Sequence, residues 1–301
     1  MRHSILVIDD EAIGAKNLAK AFETERPSFK VVTASTEKDI EYQIENFYFT
    51  VAIVDLRMDN FNRNGIDFIK QIIESNPFAK VIIMSAFLPE FSSEVAQIFA
   101  SGRVIDVIPK GAFDTFKKRI LATTDKAVQD YESNPSLTQK TLNDLYAEAK
   151  NESDAYAKGI KFEHFVSLLF SQIGFPHITK RFIDRSQNEV DLMIRNEIQD
   201  NFFSKFKQYI LVECKNTAGP IDKNQIIQFV SKVEHAAGLC NLGIVITASS
   251  FKRTSLDEMI RYSNKAFKII FLTNREIAKL IYSNDITEEF KTIIDMQVKD
   301  N

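Results

Sequence analysis

Two cysteines in 301 residues, Cys214 and Cys240, are too few for a disulfide framework and lack the paired spacing of a zinc site, so a reducing cytoplasm is the expected setting. Long hydrophobic runs are missing too. The start, Met1-Arg-His-Ser-Ile-Leu-Val-Ile-Asp-Asp10, has four apolar residues before two aspartates, and no later stretch approaches the roughly 18 apolar residues of a membrane span. Neither a signal peptide nor a membrane helix is expected. Charge of one sign is also scarce. Residues 1–150 carry 18 basic and 22 acidic side chains and residues 151–301 carry 20 and 19, so bulk charge gives no evidence for nucleic-acid binding and only local patches can supply it. Internal repeats and low-complexity tracts are absent. What is present is an ordinary globular composition, 45% apolar and 26% charged, in a chain long enough for two domains.

From residue 4 to about 121, short β-branched runs alternate with amphipathic stretches. Ile5–Ile8, Val31–Val32, Val51–Val54, Val81–Met84 and Val104–Ile108 read as strands, separated by helices near 11–24, 36–46, 66–75, 90–100 and 113–131, a pattern that predicts a parallel sheet. Asn134-Pro135 breaks it. Leu142, Leu145 and Ala149 then give the polar stretch 137–158 a narrow apolar stripe, which suits a solvated linker helix and a dimer seam equally. A strongly apolar helix, Phe162–Ile173, ended by Gly174 and Pro176, opens a second α/β unit. Its strands read at Val190–Ile194, Tyr209–Val212, Gly243–Thr247 and Lys268–Leu272, with helices near 223–236, 254–264 and 274–283. The expected domains are 1–123, a helical linker at 124–158, and 159–301.

In open parallel sheets, ligands bind beyond the carboxyl ends of the strands. The residues there are Asp9, Asp10, Asp55, Ser85 and Lys110. Three carboxylates brought together repel unless a hard cation sits among them, and Mg²⁺ takes its oxygen ligands from carboxylates, water and phosphate. Asp55 then suits a nucleophile that forms an acyl phosphate, with the Lys110 ammonium and the Ser85 hydroxyl binding the phosphoryl oxygens. A single aspartate at a strand end more often caps a helix or faces solvent; five such residues in order at successive positions carry more weight.

Over roughly residues 3–122 the sequence resembles the receiver domain of bacterial two-component response regulators. The resemblance runs through Ile5-Leu-Val-Ile-Asp-Asp-Glu11, Val51-Ala-Ile-Val-Asp-Leu-Arg-Met58, Gly65-Ile-Asp-Phe68, Ile82-Ile-Met-Ser-Ala86 and Pro109-Lys110. It implies a five-stranded parallel, doubly wound, flavodoxin-like sheet. It also implies phosphorylation of Asp55 by a sensor histidine kinase or a small phosphodonor, Mg²⁺ held by Asp9, Asp10 and Asp55, and phosphoryl contacts from Ser85 and Lys110. Two positions depart from the family. Val107 stands where receivers usually carry an aromatic switch residue and Gly111 where they carry proline, which puts the usual hydroxyl-to-aromatic coupling in question. The loop Asp59-Asn-Phe-Asn-Arg-Asn-Gly65 is also about two residues longer than the family's, a simple insertion or a site of altered signalling.

In the second unit the informative stretch is Tyr209-Ile-Leu-Val-Glu-Cys-Lys215. Glu-x-Lys occurs three times, but Glu148-Ala-Lys150 and Glu289-Phe-Lys291 lie in polar helical segments, whereas Glu213-Cys-Lys215 ends an apolar strand. Side chains at i and i+2 share a strand face, so Glu213 and Lys215 point together while Cys214 points away. Burying them costs several kcal/mol unless they are paired or bind metal. Asp191, a charge inside the run Val190–Ile194, is the nearest candidate partner, as a salt bridge to Lys215 or as a second metal ligand. If Asp191 and Glu213 share a divalent cation, the ion can stabilise charge on a phosphodiester and activate a water that Lys215 orients or deprotonates. Glu163 offers a further carboxylate.

The order Glu163, Asp191, Glu213-x-Lys215 resembles the PD-(D/E)xK nuclease superfamily and more closely its Mrr-like restriction endonucleases, over roughly residues 156–275. The shared stretches are Gly159-Ile-Lys-Phe-Glu-His-Phe165, Glu189-Val-Asp-Leu192, Leu211-Val-Glu-Cys-Lys215, Gly219-Pro-Ile221 and Gly243-Ile-Val-Ile-Thr247. The resemblance implies an α/β domain with a mixed sheet that cleaves DNA with Mg²⁺, Mn²⁺ substituting. Many Mrr-like members have glutamine where Glu213 stands; the carboxylate is the wider superfamily form. Weaker features are Lys223, Asn224 and Gln225 at a helix start, a loose basic cluster of Lys252, Arg253, Arg261, Lys265 and Lys268, and His164, His177 and His235, which lack ligand spacing. The expected protein is a response regulator whose phosphorylation controls a DNA endonuclease, with DNA, a phosphodonor and a second copy of the chain as partners. The alternative is a regulator whose nuclease-like domain binds DNA or protein without cutting.

Overall fold

The computed structural model describes residues 3–86, 88–183, 189–236, 238–252 and 266–299. The chain divides into two compact units, Met1–Pro135 and Ser136–Asn301. In the first, β1 (Ser4–Ile8), α1 (Ala12–Glu25), β2 (Lys30–Ala34), α2 (Glu37–Asn46), β3 (Val51–Asp55), α3 (Gly65–Ser75), β4 (Lys80–Ser85), α4 (Ser92–Phe99), β5 (Val104–Pro109) and α5 (Phe113–Glu132) alternate. The five strands are parallel in the order β2-β1-β3-β4-β5.

Period-two alternation fills both faces of this sheet. Leu6, Ile8, Ala52, Val54, Val81 and Ile83 pack with Ile40, Ile44, Ile66, Ile69 and Ile98 of α2, α3 and α4. Ile5, Val7, Val51, Ile53, Ile82 and Met84 pack with Leu18 and Phe22 of α1 and Ile120 and Leu121 of α5. Strands apolar on both faces are what a sheet covered by helices on each side requires. The last helix continues to Glu132, with Thr124, Ala127 and Val128 buried.

The second unit comprises α6 (Pro135–Asn151), α7 (Ala155–Ile173), β6 (Ile178–Ile183), β7 (Glu189–Arg195), β8 (Tyr209–Lys215), α8 (Lys223–His235), β9 (Cys240–Thr247), β10 (Lys268–Leu272), α9 (Asn274–Tyr282) and α10 (Ile286–Lys299). Its sheet runs β10-β9-β8-β7-β6, parallel from β10 to β8 and antiparallel from β8 to β6, hence mixed. Asp154 caps α7 by accepting the Ala157 N–H at 2.8 Å, and Gly174 ends it in the left-handed region at φ 115°.

The α6 stripe is neither solvated nor left for a partner. Leu142 and Ala149 are buried, and Tyr146 packs against Phe165 with ring centroids 5.0 Å apart. Strand β6 and helix α10 were not anticipated from the sequence. Lys180 and Arg181 interrupt the apolar run of β6, an edge strand that has less need of one. The helix expected at 254–264 lies outside the described residues.

Candidate functional site

Strand order makes the β1–β3 boundary a topological switch point, so the carboxyl ends of those strands open onto one crevice. Asp9 follows β1 and Asp55 ends β3; both are buried, with Asp10 half-buried beside them. One carboxylate oxygen from each of the three lies within 4.8 Å of the others. Lys110, just past β5, donates to Asp55 Oδ2 at 2.6 Å and to Asp9 Oδ2 at 2.9 Å. Its own N–H donates to the Ser85 carbonyl at 2.9 Å, which holds buried Ser85 at the same sheet end.

Burial pushes the Asp55 carboxyl up to about 6, against the lowering influence of Lys110. Burial also opposes the charge of Lys110, but its hydrogen bonds and ion pairs with Asp55 and Asp9 outweigh that and raise its pKa. The second oxygen of Asp55, Oδ1, is buried and has no hydrogen-bond partner. Three convergent carboxylates, one with an open oxygen, fit a hard divalent cation.

The loop after β3 reaches this site. Asn60 donates to Asp10 Oδ2 at 3.3 Å, and Asn64 caps α3 in a reciprocal capping box with Asp67. At the start of α3 a glycine is required by close approach, because a Cβ on Gly65 would overlap the Asp55 carbonyl. Val107, on β5, is half-buried against the α2–α4 side of the core.

In the second unit, the β7–β8 register pairs Leu192 with Val212 and Met193 with Leu211, and Asp191 and Glu213 are the residues directly beyond the Leu192–Val212 pair. Asp191 Oδ2 accepts the Cys214 N–H at 2.6 Å. Glu213 Oε1 pairs with Lys215 Nζ at 2.7 Å, and Oε2 pairs with Lys232 Nζ at 2.9 Å. Lys215 thus bonds to Glu213 and Asp191 accepts from backbone, so of the two readings of Asp191 the salt bridge to Lys215 is not the contact formed. Burial and the neighbouring charge of Glu213 raise the Asp191 pKa. For Lys215, burial works against the charge but Glu213 and Asp191 outweigh it and raise the pKa, so the side chain is an ammonium at neutral pH. That state suits orienting a water.

Glu163, on the first half of α7, accepts from Arg181 Nε at 3.1 Å. Among the described residues, Asp9, Asp10 and Asp55 form the one group of three whose ligand atoms all lie within 4.8 Å of one another, and Glu163 is not grouped that tightly with Asp191 and Glu213. Its charge still contributes to raising the Asp191 pKa. Arg181 is the only described non-glycine residue with positive φ, 51°. Such a backbone costs about 1–3 kcal/mol. Its ion pair, with the Arg181 side chain 41% exposed, returns only about 0–1 kcal/mol.

Other expectations resolve plainly. Asp222 accepts from the N–H groups of Asn224 and Gln225 at 3.0 and 3.3 Å, so the start of α8 is internally capped. Arg253, Arg261 and Lys265 lie outside the described residues; Lys252 is exposed and Lys268 half-buried. His164 lies 3.5 Å from Lys180, with burial first and that lysine second lowering its pKa to about 4; His177 pairs with Glu197, and His235 contacts the Ser231 carbonyl. Sequence reasoning missed Lys232 and Arg181. A lysine between buried Val230 and Val233 was the faint signal for the first; nothing in the sequence signals the second.

Residues 5–120 match the response regulator receiver domain, and residues 155–281 match the Mrr restriction endonuclease family. One chain therefore holds a response regulator receiver domain and an Mrr-like restriction endonuclease domain. Solved structures similar to the receiver include a CheY-like receiver domain protein from Methanospirillum hungatei JF-1. It is 18% identical, with 44% of this chain and 99% of that chain covered and a TM-score of 0.39. Another is TrrA from Thermotoga maritima in complex with Mg²⁺ and BeF, at 20% identity, 40% and 98% coverage and TM-score 0.33. A third, described as an adenylate cyclase from Rhodopirellula baltica, is 18% identical, with 45% and 94% coverage and TM-score 0.39. No curated protein matches the chain. The pairing of domains makes the chain a response regulator with a nuclease output domain. No described helix is long and apolar enough to cross a membrane.

Proposed function

We propose that phosphorylation of Asp55 controls metal-dependent cleavage of DNA by the second unit. The observation that carries the nuclease half is the row made by Asp191 and Glu213 on adjacent strands, with Lys215 bonded to Glu213 at 2.7 Å. A degenerate nuclease fold that only bound DNA would have no need of two desolvated carboxylates and a lysine on one sheet end.

In the receiver, the open Oδ1 of Asp55 is the atom suited to bond phosphorus as the donor's leaving group departs. Lys110 would then move from the Asp55 carboxylate to a phosphoryl oxygen, and the Ser85 hydroxyl would take another. Asp9, Asp10 and Asp55 would hold Mg²⁺, which neutralises phosphoryl charge when bound. The phosphodonor is a sensor histidine kinase or a small acyl phosphate. In the nuclease domain, Asp191 and Glu213 would hold Mg²⁺ or Mn²⁺, whose chemistry is Lewis-acid stabilisation of the phosphodiester. Lys215 positions water by hydrogen bonding, and Lys232 keeps the second oxygen of Glu213 paired.

The phosphoryl group adds about −1.5 to −2 charge at Asp55, enough to bias an equilibrium between receiver states by about 1–3 kcal/mol. The test is full-length protein with supercoiled plasmid and Mg²⁺ or Mn²⁺, with and without acetyl phosphate. Metal-dependent nicking that changes with the phosphodonor is expected. Plasmid left intact by every metal refutes the enzyme, and cleavage indifferent to acetyl phosphate refutes the control.

A further inference from the structure

We propose that Arg181 is a contact for the DNA phosphate backbone at the nuclease centre, held ready by a strained backbone and parked on Glu163 until DNA arrives. The inference rests on the nuclease reading above and names a residue that recognises its substrate.

Its starting point is direction. In a strand, successive side chains leave from opposite faces. Lys180 and Arg181 are successive residues of β6, yet both reach α7: Lys180 lies 3.5 Å from His164, and Arg181 Nε donates to Glu163 at 3.1 Å. The positive φ at Arg181, 51°, is the local departure that turns the second side chain out of strand alternation. It occurs beside the candidate row: β6 pairs Lys180 with Leu192 and Phe182 with Val190, so the register brings the Arg181 backbone level with Asp191, while its side chain reaches Glu163, whose charge acts on Asp191. Glycine would adopt this φ without cost, and the ion pair that arginine forms instead is too exposed to repay the strain. A side chain kept at such a position has a use other than stability.

The surroundings indicate which use. The Arg181 side chain is 41% exposed, on an edge strand that no further described strand covers. Its guanidinium lies 5.8 Å from the centre of the Tyr156 ring, and Tyr156 is 70% exposed. Arginine beside an exposed aromatic is a surface suited to a macromolecule, and a planar fork of N–H donors matches phosphate oxygens as well as it matches the Glu163 carboxylate. Duplex DNA brought to Asp191 and Glu213 presents phosphates along its backbone at this rim, and the guanidinium exchanges one oxyanion for another.

Arg181→Gly separates backbone from side chain, because glycine removes the cation while accepting the φ. Binding is measured on the full chain carrying Lys215→Ala, to silence cleavage, with a fluorescent duplex over a range of NaCl, alongside thermal melts. Expected results are an unchanged or higher melting temperature, affinity lower by roughly 5- to 30-fold at low salt, and a log–log salt slope smaller by about one ion. The loss should be equal across duplex sequences, since a phosphate contact carries no sequence information. Arg181→Lys should recover part of the affinity, as a point charge without the fork. Unchanged affinity and slope in Arg181→Gly overturn the inference, as does a lower melting temperature with normal binding, which would make Arg181 structural. Normal binding with a lower cleavage rate, read in the Lys215 background restored to wild type, also overturns it in favour of a role in positioning Glu163. If the parent protein binds no duplex, the nuclease reading itself fails and takes the inference with it.

Discussion

Asp55→Asn should stabilise the protein while abolishing its phosphorylation. The folded site holds the Asp55 carboxyl at about 6 against an ordinary 3.8, chiefly because burial penalises its charge. A shift of about two units is ~3 kcal/mol of differential cost to the ionised form. Asparagine removes that cost but also removes an ion pair with Lys110 at 2.6 Å, leaving Lys110 with Asp9 alone. The net gain at neutral pH without metal should be about 1–2 kcal/mol, or roughly 3–8 °C in the melting temperature of this unit. Between the unfolded value near 3.8 and the folded value near 6, the folded wild type binds the extra proton, so its stability relative to the variant falls as pH rises through that window and is level above it. The gain should therefore fall by about 2–3 kcal/mol between pH 7 and pH 4, leaving the variant the less stable protein near pH 4. Mg²⁺ should reverse the comparison: a ligand at about 100 times its dissociation constant adds ~2.7 kcal/mol to the form that binds it, and the variant has lost one of three convergent carboxylates. Calorimetric melts of wild type and variant from pH 4 to 8, with EDTA or with Mg²⁺, measure all of this. A variant less stable than wild type in EDTA at pH 7, a difference independent of pH, or equal Mg²⁺ stabilisation of both would refute the reasoning. Acid-labile phosphate on the variant after acetyl phosphate treatment, seen by intact mass, would show that Asp55 is not the acceptor.

Three further outcomes follow from particular contacts. Lys215→Ala should fold and melt within about 1–2 kcal/mol of wild type, because Lys232 still pairs Glu213, yet plasmid cleavage should fall by several orders of magnitude; the double change with Lys232→Ala strands Glu213 and should cost about 3–5 kcal/mol. A stable single variant that cuts normally would exclude a catalytic Lys215. Gly65→Ala pushes a methyl group against the Asp55 carbonyl and should cost about 1–3 kcal/mol while slowing acetyl phosphate labelling; full stability and labelling would show that the α3 start can shift freely. Asn216→Ala removes a side chain whose Nδ2 donates to the Ala149 and Lys158 carbonyls at 2.8 and 3.1 Å, and should lower stability by about 1–3 kcal/mol, read by urea titration; an unchanged midpoint would mean that water replaces both bonds.

Legibility in the sequence tracked how local each feature was. The receiver sheet was readable because its strands are apolar on both faces and its site residues are fixed by position at the strand ends, so finding the run Ile5–Ile8 also located Asp9. The same held for Glu213-Cys-Lys215, where strand alternation alone placed two charges together. Strand β6 was lost because an edge strand with one face towards solvent need not carry an apolar run, and Lys180 and Arg181 hid it. The α6 stripe read as unpartnered because α6 packs through Tyr146 on Phe162 and Phe165, across a turn whose direction the sequence does not encode in any single residue.

Lys232 marks the difference between the two centres. In the receiver, one lysine is shared by two buried aspartates, so accepting a phosphoryl group moves Lys110 off the Asp55 carboxylate, while the buried Asp55 Oδ1 has no side-chain partner to lose. In the nuclease row, both oxygens of Glu213 are paired to lysines, so a metal that took Glu213 as a ligand would share its carboxylate with them or replace one of them. Lys215 comes from the same strand, two residues on, and stays within reach of the row after release; Lys232 comes from a helix and can swing outward with its charge still near the site. A second lysine therefore keeps the Glu213 carboxylate satisfied on both oxygens. Helix α8, which carries Lys232, also packs its buried Phe229, Val230 and Val233 against Leu211 of β8 and Val245 of β9.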